Sequence, residues 1–337
     1  MELKDVVLEE EKAELRQFLK AFHLVYEQDI DLSLTLREEG KIIATASAAK
    51  NIVKCVAIDE SYQGKSLANT LMSALIKRLN QRGHHHLFLY SRPELMPYFK
   101  PLGFKRIVES MNFAFMELGG DITRTLKKLK QAHELSSKPK GCVVVNANPL
   151  TNGHLYLIKE AKKHHDRLLV FVVSEDRSFF PFAARFKIIE EALEGMEGIT
   201  VLPTQDYLVS YATFPKYFLK HESSIKEEHA LLDVLVFKEY YMKIFNITDR
   251  YVGDEPYSPM TNTYNRTMKK YLNSDLHILE RKAIDDTPIS ASTVRKLLQN
   301  HSLEAIEPYV PEATLRFLRS EQGQAIIEAM KTHASRH

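Results

Sequence analysis

The feature that most constrains the fold is an apolar run, Cys142-Val143-Val144-Val145, followed closely by Thr151-Asn152-Gly153-His154 and then by Leu155-Tyr156-Leu157-Ile158-Lys159-Glu160-Ala161. A buried run, a glycine-bearing turn and a helix-period pattern read as strand, turn and helix. In an open parallel sheet such turns lie at the carboxyl ends of strands, where free helix N–H groups and the helix dipole favour anions. Gly153 would let the backbone approach a phosphate, and His154 would aim one or two N–H donors at it. A second helix start, Ile289-Ser290-Ala291-Ser292-Thr293-Val294-Arg295, adds hydroxyls and a guanidinium. Two anion sites of this kind suit one triphosphate, so ATP is the expected ligand.

The same alternation continues along the chain. Arg167–Val173 and Thr200–Pro203 read as strands and Ala183–Leu193 as a helix. The later runs Leu231–Phe237 and Asp249–Pro256 and a strand at Leu276–Leu279 complete the pattern. Strand–helix alternation of this sort implies an α/β, doubly wound parallel sheet. From about Glu312 an amphipathic helical tail is expected.

The preceding part of the chain differs. Leu32–Leu36, Lys41–Ser47 and Ile52–Ile58 alternate as strands, and Gln63-Gly64-Lys65-Ser66-Leu67-Ala68 opens a long helix through Leu71, Leu75 and Leu79. A strand His86–Tyr90 and an aromatic segment, Tyr98-Phe99-Lys100-Pro101-Leu102-Gly103-Phe104, follow. This is an α+β layout, and with these residues it resembles the GNAT acyltransferases, whose pyrophosphate loop reads Gln/Arg-x-x-Gly-x-Gly/Ala. The resemblance makes Gln63, Gly64, Lys65, Ser66 and Ala68 a coenzyme A-type loop. Ser66, where the family uses its second glycine, puts a side chain where close backbone approach is wanted. The length of 337 residues also favours two domains. The polar, breaker-rich Ser136-Ser137-Lys138-Pro139-Lys140-Gly141 places the linker at 132–140, between domains at 1–131 and 141–337.

The Thr-x-Gly-His turn paired with Ile-Ser-x-Ser-x-x-Arg resembles the HIGH-type nucleotidyltransferase superfamily, with a Rossmann-like fold. That superfamily needs no protein nucleophile: the acceptor attacks the α-phosphorus of ATP and pyrophosphate leaves, so the protein positions groups and neutralises charge. His154, Thr151 and Arg295 are the expected catalytic residues. Asn146, Asn148, Gly153, Gly253, Asp254, Ser290, Ser292 and Thr293 join His154 and Arg295 as expected ATP contacts. Mg²⁺ is expected with the phosphates, held by their oxygens and water, without a dedicated protein metal site.

Both domains in this order resemble the citrate lyase ligase family. The matching segments include Asn146–His154, Ser174-Glu175-Asp176-x-Ser178-x-Phe180-Pro181, Arg250–Pro256, Thr261-x-x-Tyr264-Asn265 and Ile289–Arg295. The resemblance implies that acetate and ATP give acetyl-adenylate and pyrophosphate. The acetyl group then passes to the thiol of a phosphoribosyl-dephospho-coenzyme A arm on the acyl carrier subunit of citrate lyase. The alternative is an adenylyltransferase joining ATP to phosphopantetheine or a mononucleotide. Arg177, beside Phe179, Phe180 and Phe182, is the expected acetate or phosphate contact. Arg185 reads either as a second such cation or as a helix-surface residue.

Composition narrows the remaining classes. A net charge of +2 gives no support for a nucleic-acid or membrane surface. Cys55 and Cys142 both sit in strand-like runs, which excludes a disulfide framework and fits a reducing, cytoplasmic setting. His84-His85-His86 enters a strand, whose side chains alternate between faces, so the three cannot ligate one ion. Tyr240-Tyr241 and Lys127-Lys128-x-Lys130 are expected to cover a surface.

Overall fold

Strand pairing divides the chain into two main sheets. The computed structural model describes residues 1–63, 67–176, 178–208, 222–254, 259–284, 287–300 and 303–334. These residues form two compact units. One holds Met1–Thr125 and the described part of Phe214–Leu232, and the other holds those within Leu126–Thr213 and Asp233–His337.

In the first unit, the elements run β1 (Glu2–Asp5), α1 (Glu9–Lys20), β2 (Leu32–Glu38), β3 (Lys41–Ala49), β4 (Ile52–Ile58), α2 (Leu67–Gln81) and β5 (Leu87–Ser91). The short α3 (Met96–Phe99), β6 (Lys105–Glu109) and β7 (Ala114–Leu118) follow, and α4 (Ile122–Ala132) leads out of the unit. The sheet order is β1-β2-β3-β4-β5-β7-β6. All pairs are antiparallel except β4 with β5, which pair only at Ile52 with Phe88 and Val53 with Leu89. Beyond that point β4 bulges: Ser47 faces Lys54 and Thr45 faces Ala57, so Cys55 and Val56 oppose Ala46 alone. Cys55 adopts φ +51° there, and the thiol, enclosed in apolar surroundings, is pushed up to about 12. The α2 helix covers the sheet through Leu67, Leu71, Met72, Leu75 and Leu79, all buried, with Phe99 and Phe104 in the same cluster. Their spacing is the helical stripe that a half-covered sheet requires.

The second unit starts at β8 (Lys140–Val145). Then come α5 (Asn152–Lys162), β9 (Leu168–Val172), α6 (Phe182–Leu193), β10 (Ile199–Pro203) and α7 (Glu222–Val236), whose last turn belongs to this unit. A π-helical stretch, Phe237–Met242, continues it into α8 (Lys243–Phe245). The unit ends with β11 (Ile247–Gly253), α9 (Pro259–Leu272), β12 (Leu276–Leu279), the small ribbon β13 (Ala283–Ile284) and β14 (Thr287–Pro288), α10 (Ala291–Asn300), α11 (Glu312–Arg319) and α12 (Glu321–Ala334). The five main strands are parallel in the order β10-β9-β8-β11-β12. The winding reverses between β8 and β11, which makes a topological switch point, and ligands of such sheets sit outside its carboxyl end. Val143, Val145, Ile158, Ala161, Val170, Ile188 and Ile189 form the core under α5 and α6. A second cluster of Val294, Leu298, Ile306, Leu315, Leu318 and Met330 anchors α10 against the terminal helices.

The run Leu231–Phe237, placed above in the strand–helix alternation without a type, is helix and π-helix. A short continuous apolar run cannot be assigned by period alone. In the helix, Asp233 and Phe237 stand one turn apart and both meet Arg250 of β11. Arg250 Nη2 lies 3.7 Å from Asp233 Oδ2, the guanidinium is 4.1 Å from the Phe237 ring centre, and Tyr264 bridges the pair by donating its hydroxyl to Asp233 and accepting from Arg250. Among the described residues Arg250 Nε and Nη1 are buried without a hydrogen-bond partner, and Asp233 carries most of the compensation for this charge there. Removing one member of a buried pair typically costs about 3–5 kcal/mol. Asp233→Ala is therefore expected to lower unfolding stability by an amount of that order, read as a shifted urea midpoint at unchanged slope; a shift below about 1 kcal/mol would show that the pair contributes no more than a surface one.

Candidate nucleotide site

The site begins where β8 ends. Thr151 is the N-cap of α5, and its Oγ1 accepts from the His154 backbone N–H at 3.4 Å. The exchange is reciprocal: His154 Nδ1 accepts the Thr151 backbone N–H at 3.1 Å and lies 2.8 Å from Thr151 Oγ1. This is a capping box with a histidine in the usual Glu/Gln position. A backbone N–H can only donate, so Nδ1 must be the acceptor and the neutral ring carries its proton on Nε2. Burial, reinforced by the positive charge of Arg281, pushes the imidazole down to about 4. Of the one or two donors expected from His154, the structure leaves one, Nε2–H, on a ring that lines the cleft.

Gly153 brings the two motifs together. A Cβ on Gly153 would sit 2.9 Å from the carbonyl oxygen of Ile289, so the segment entering α10 is pressed against the first turn of α5. The close approach expected for a phosphate is made by protein backbone. Ser290 caps α10, its Oγ accepting the Thr293 N–H at 3.0 Å, and it also bonds the hydroxyls of Ser292 and Thr293 at 2.9 and 2.8 Å. One turn later, Arg295 Nη1 donates to Asn148 O at 2.6 Å. Partial burial lowers the Arg295 pKa, a condition that an incoming anion would relieve.

Between these turns lies a cleft of about 300 Å³ at the switch point. Its wall includes Thr151, Gly153, His154, Gly253, Ser290, Ser292 and Arg295 from the sequence-predicted set. Asn146, Asn148, Asp254 and Thr293 lie outside that wall. Asn148 Oδ1 accepts the Phe180 N–H at 3.1 Å and Asn146 Nδ2 bonds Ser178 Oγ at 3.3 Å, so both asparagines shape the neighbouring loop. Asp254 donates its N–H to Leu279 O, tying β11 to β12. Arg281, Glu280 and Tyr156, outside both motifs, also line the cleft. The signal for Arg281 was its position, two residues past β12 at the carboxyl end of a parallel strand.

Arg185 corrects both readings offered for it. It is fully buried, neither a surface residue nor a free cation. Its guanidinium donates to Phe180 O, Asn146 O, Asn146 Oδ1, Val173 O and Glu175 O at 2.7–3.0 Å. All three guanidinium nitrogens donate, so Arg185 fastens the ends of β8 and β9 to α6. Arg177 lies outside the described residues, as do Gly64, Lys65 and Ser66 of the first unit's loop. Gln63 follows a short 3₁₀ turn and Ala68 is the second residue of α2.

Among the described residues no group of three or more His, Cys, Asp or Glu could hold a metal ion, and no helix is long and apolar enough to cross a membrane. The lowered His154 pKa has a definite sign. Between about pH 6.5, the ordinary histidine value, and about pH 4, the unfolded chain binds a proton that the folded one does not. His154 thus contributes stability above pH 6.5 that is lost as pH falls through this window. NMR of the labelled ring is expected to show a neutral Nε2–H tautomer down to pH 5; a midpoint near 6.5 would contradict the half-buried, Thr151-bound geometry.

Residues 140–318 match the citrate lyase ligase C-terminal domain model, and residues 5–118 match the acetyltransferase (GNAT) domain model. The chain is 36% identical over 318 residues to the citrate (pro-3S)-lyase ligase of Escherichia coli K12, covering 91% of this chain and 90% of that protein. It is 34% identical over 331 residues to the corresponding Haemophilus influenzae ligase, covering 95% and 98%. A phosphopantetheine adenylyltransferase of Streptococcus agalactiae matches at 26% identity over 172 residues, 50% of this chain and 88% of that enzyme. With both domain models matched in order and similarity running nearly end to end, the chain belongs to the citrate lyase ligase family.

Proposed function

We propose that this protein is an AMP-forming acid–thiol ligase that uses ATP to acetylate citrate lyase, in the cytoplasm. The observation that carries the reading is the cleft at the switch point, where a neutral Nε2–H donor and a partly desolvated Arg295 face one space between two capped helix starts. A carboxylate oxygen of acetate attacks the α-phosphorus of ATP and pyrophosphate departs, giving acetyl-adenylate. The thiol of the phosphoribosyl-dephospho-coenzyme A arm on the lyase's acyl carrier subunit then attacks the acyl carbon, and AMP leaves with the C–O bond pair.

In this reading the protein supplies position and charge compensation. Thr151 holds the His154 ring so that Nε2–H points at a phosphoryl oxygen without reorganising. Arg295 offers its remaining N–H groups to the phosphates while Asn148 O fixes its reach. Ser290 and Ser292 present hydroxyls at the mouth of α10, and Gly253 keeps the end of β11 low. Mg²⁺ enters with the triphosphate: among the described residues Glu280 is the one carboxylate on the cleft wall, and phosphate oxygens and water supply most of its ligands. The Streptococcus agalactiae likeness, confined to half of this chain, supports a second reading in which phosphopantetheine or a mononucleotide is the acceptor.

Acid dependence separates the two. Acetate is expected to support pyrophosphate release far better than propionate or bulkier acids. Release indifferent to the acid and strongly stimulated by phosphopantetheine would move the assignment to the adenylyltransferase. His154→Ala removes one preorganised donor and is expected to slow turnover by ~10²–10³, measured as acetate-dependent pyrophosphate release by the folded variant; near-normal turnover would remove His154 from the reaction.

A further inference from the structure

The charge of the proposed substrate exceeds what the two sequence motifs can meet. ATP and a carboxylate together bring about five negative charges at neutral pH, of which Mg²⁺ offsets about two. His154 is held neutral, and from the two motifs only Arg295 contributes a permanent cation to the cleft wall. The wall holds a second arginine, Arg281, which follows β12 and lies against the end of β11: a Cβ placed on Gly253 would be 3.6 Å from Arg281 Nε and 3.7 Å from its Cγ. Arg295 enters the same cleft from the other side, fixed to Asn148 O at the end of β8. One guanidinium therefore comes from the segment after β12 and the other from α10, where the β8 loop holds it through Asn148 O, and His154 lies on the wall they share.

We propose that Arg281 is a second cationic contact for the phosphates of the nucleotide, gripping the phosphoryl group that His154 faces. The proposal rests on the reading that this cleft holds ATP and adds to it a residue outside both motifs. The geometry has a further consequence. The Arg281 charge is felt at the imidazole, where it adds to burial in keeping the ring neutral. The same side chain thus attracts the phosphate and preserves His154 as an Nε2–H donor. Arginine suits the task because its planar fork can bond two oxygens of one phosphoryl group while keeping its charge at every accessible pH.

The test uses full-length Arg281→Gln and Arg281→Lys proteins, with adenosine, AMP and Mg²⁺–ATP titrated calorimetrically. Loss of a charge-assisted contact is expected to weaken ATP and AMP by about 10- to 100-fold in the glutamine variant, with adenosine binding unchanged. Lysine is expected to restore part of the loss. In the glutamine variant the His154 ring midpoint, followed by NMR, is expected to rise; a side chain that only fills space would not move it in this selective way. ATP binding by the glutamine variant within twofold of wild type, or equal weakening of adenosine and ATP, would overturn the assignment, and the lysine variant reports on it alone if the glutamine protein does not fold. Wild-type protein that fails to bind ATP at all would remove the functional reading of the cleft and this proposal with it.

Discussion

The contact on which the site depends is the backbone carbonyl of Ile289 lying against the side-chain-free Gly153. It joins segments about 140 residues apart in the chain and sets the start of α10 beside the start of α5. Any side chain at 153 would place its first carbon 2.9 Å from that oxygen, closer than packed atoms tolerate, and the contact is to backbone, which cannot rotate away. Once the two helix starts are held together, their free N–H groups and dipoles act on one space. Thr314, buried in α11, bonds Leu150 O at 2.9 Å, and Asn152 reaches Pro308 O at the same distance. α11 and the segment before it thus brace the chain on either side of Thr151.

The two buried arginines of the second unit show different solutions to one cost. Taking a guanidinium out of water costs several kcal/mol unless its donors are matched. Arg185 meets five oxygens, four of them backbone carbonyls where strands and loops end. It therefore organises the loop that follows β9 and fixes the Asn146 side chain, the shell behind the cleft. Among the described residues Arg250 is matched at one nitrogen only, through Asp233 and Tyr264, with the Phe237 ring over its face. That pairing ties α7 and α9 to β11, and Asn265 adds a bond to Gly253 O at 3.2 Å. The end of β11 is held from both directions, which keeps Gly253 at the cleft wall.

The first unit is built around a different irregularity. The bulge at Cys55 and the two-residue length of the β4–β5 pairing open the middle of the sheet between β4 and β5. Lys54, beside the bulge and almost fully buried, bonds Glu27 and Asp29 at 2.7 and 2.9 Å. On the far side of β5, Phe88, Tyr90 and Phe115 stack with centroids 4.5–5.4 Å apart. The gap is therefore a property of β4, with a well-packed β5–β7 pair as its fixed edge.

Much of what is encoded within one turn or one strand was legible in the sequence. The valine run, the two helix starts at Thr151 and Ser290, the parallel strands of the second half and the aromatic segment before Phe104 follow from local period and turn chemistry, which do not depend on distant partners. The tertiary structure decided what depends on partners. Leu231–Phe237 became helix because Asp233 and Phe237 there answer the charge of Arg250, a residue on another element. Arg185 became a buried clamp because five carbonyl groups from separate loops converge on it, an arrangement no neighbouring residue announces. Gly153 serves backbone packing because Ile289 is folded onto it. Arg281 joined the cleft because the order of the sheet carries β12 next to β11, and strand order is a matter of long-range pairing that residue spacing does not contain.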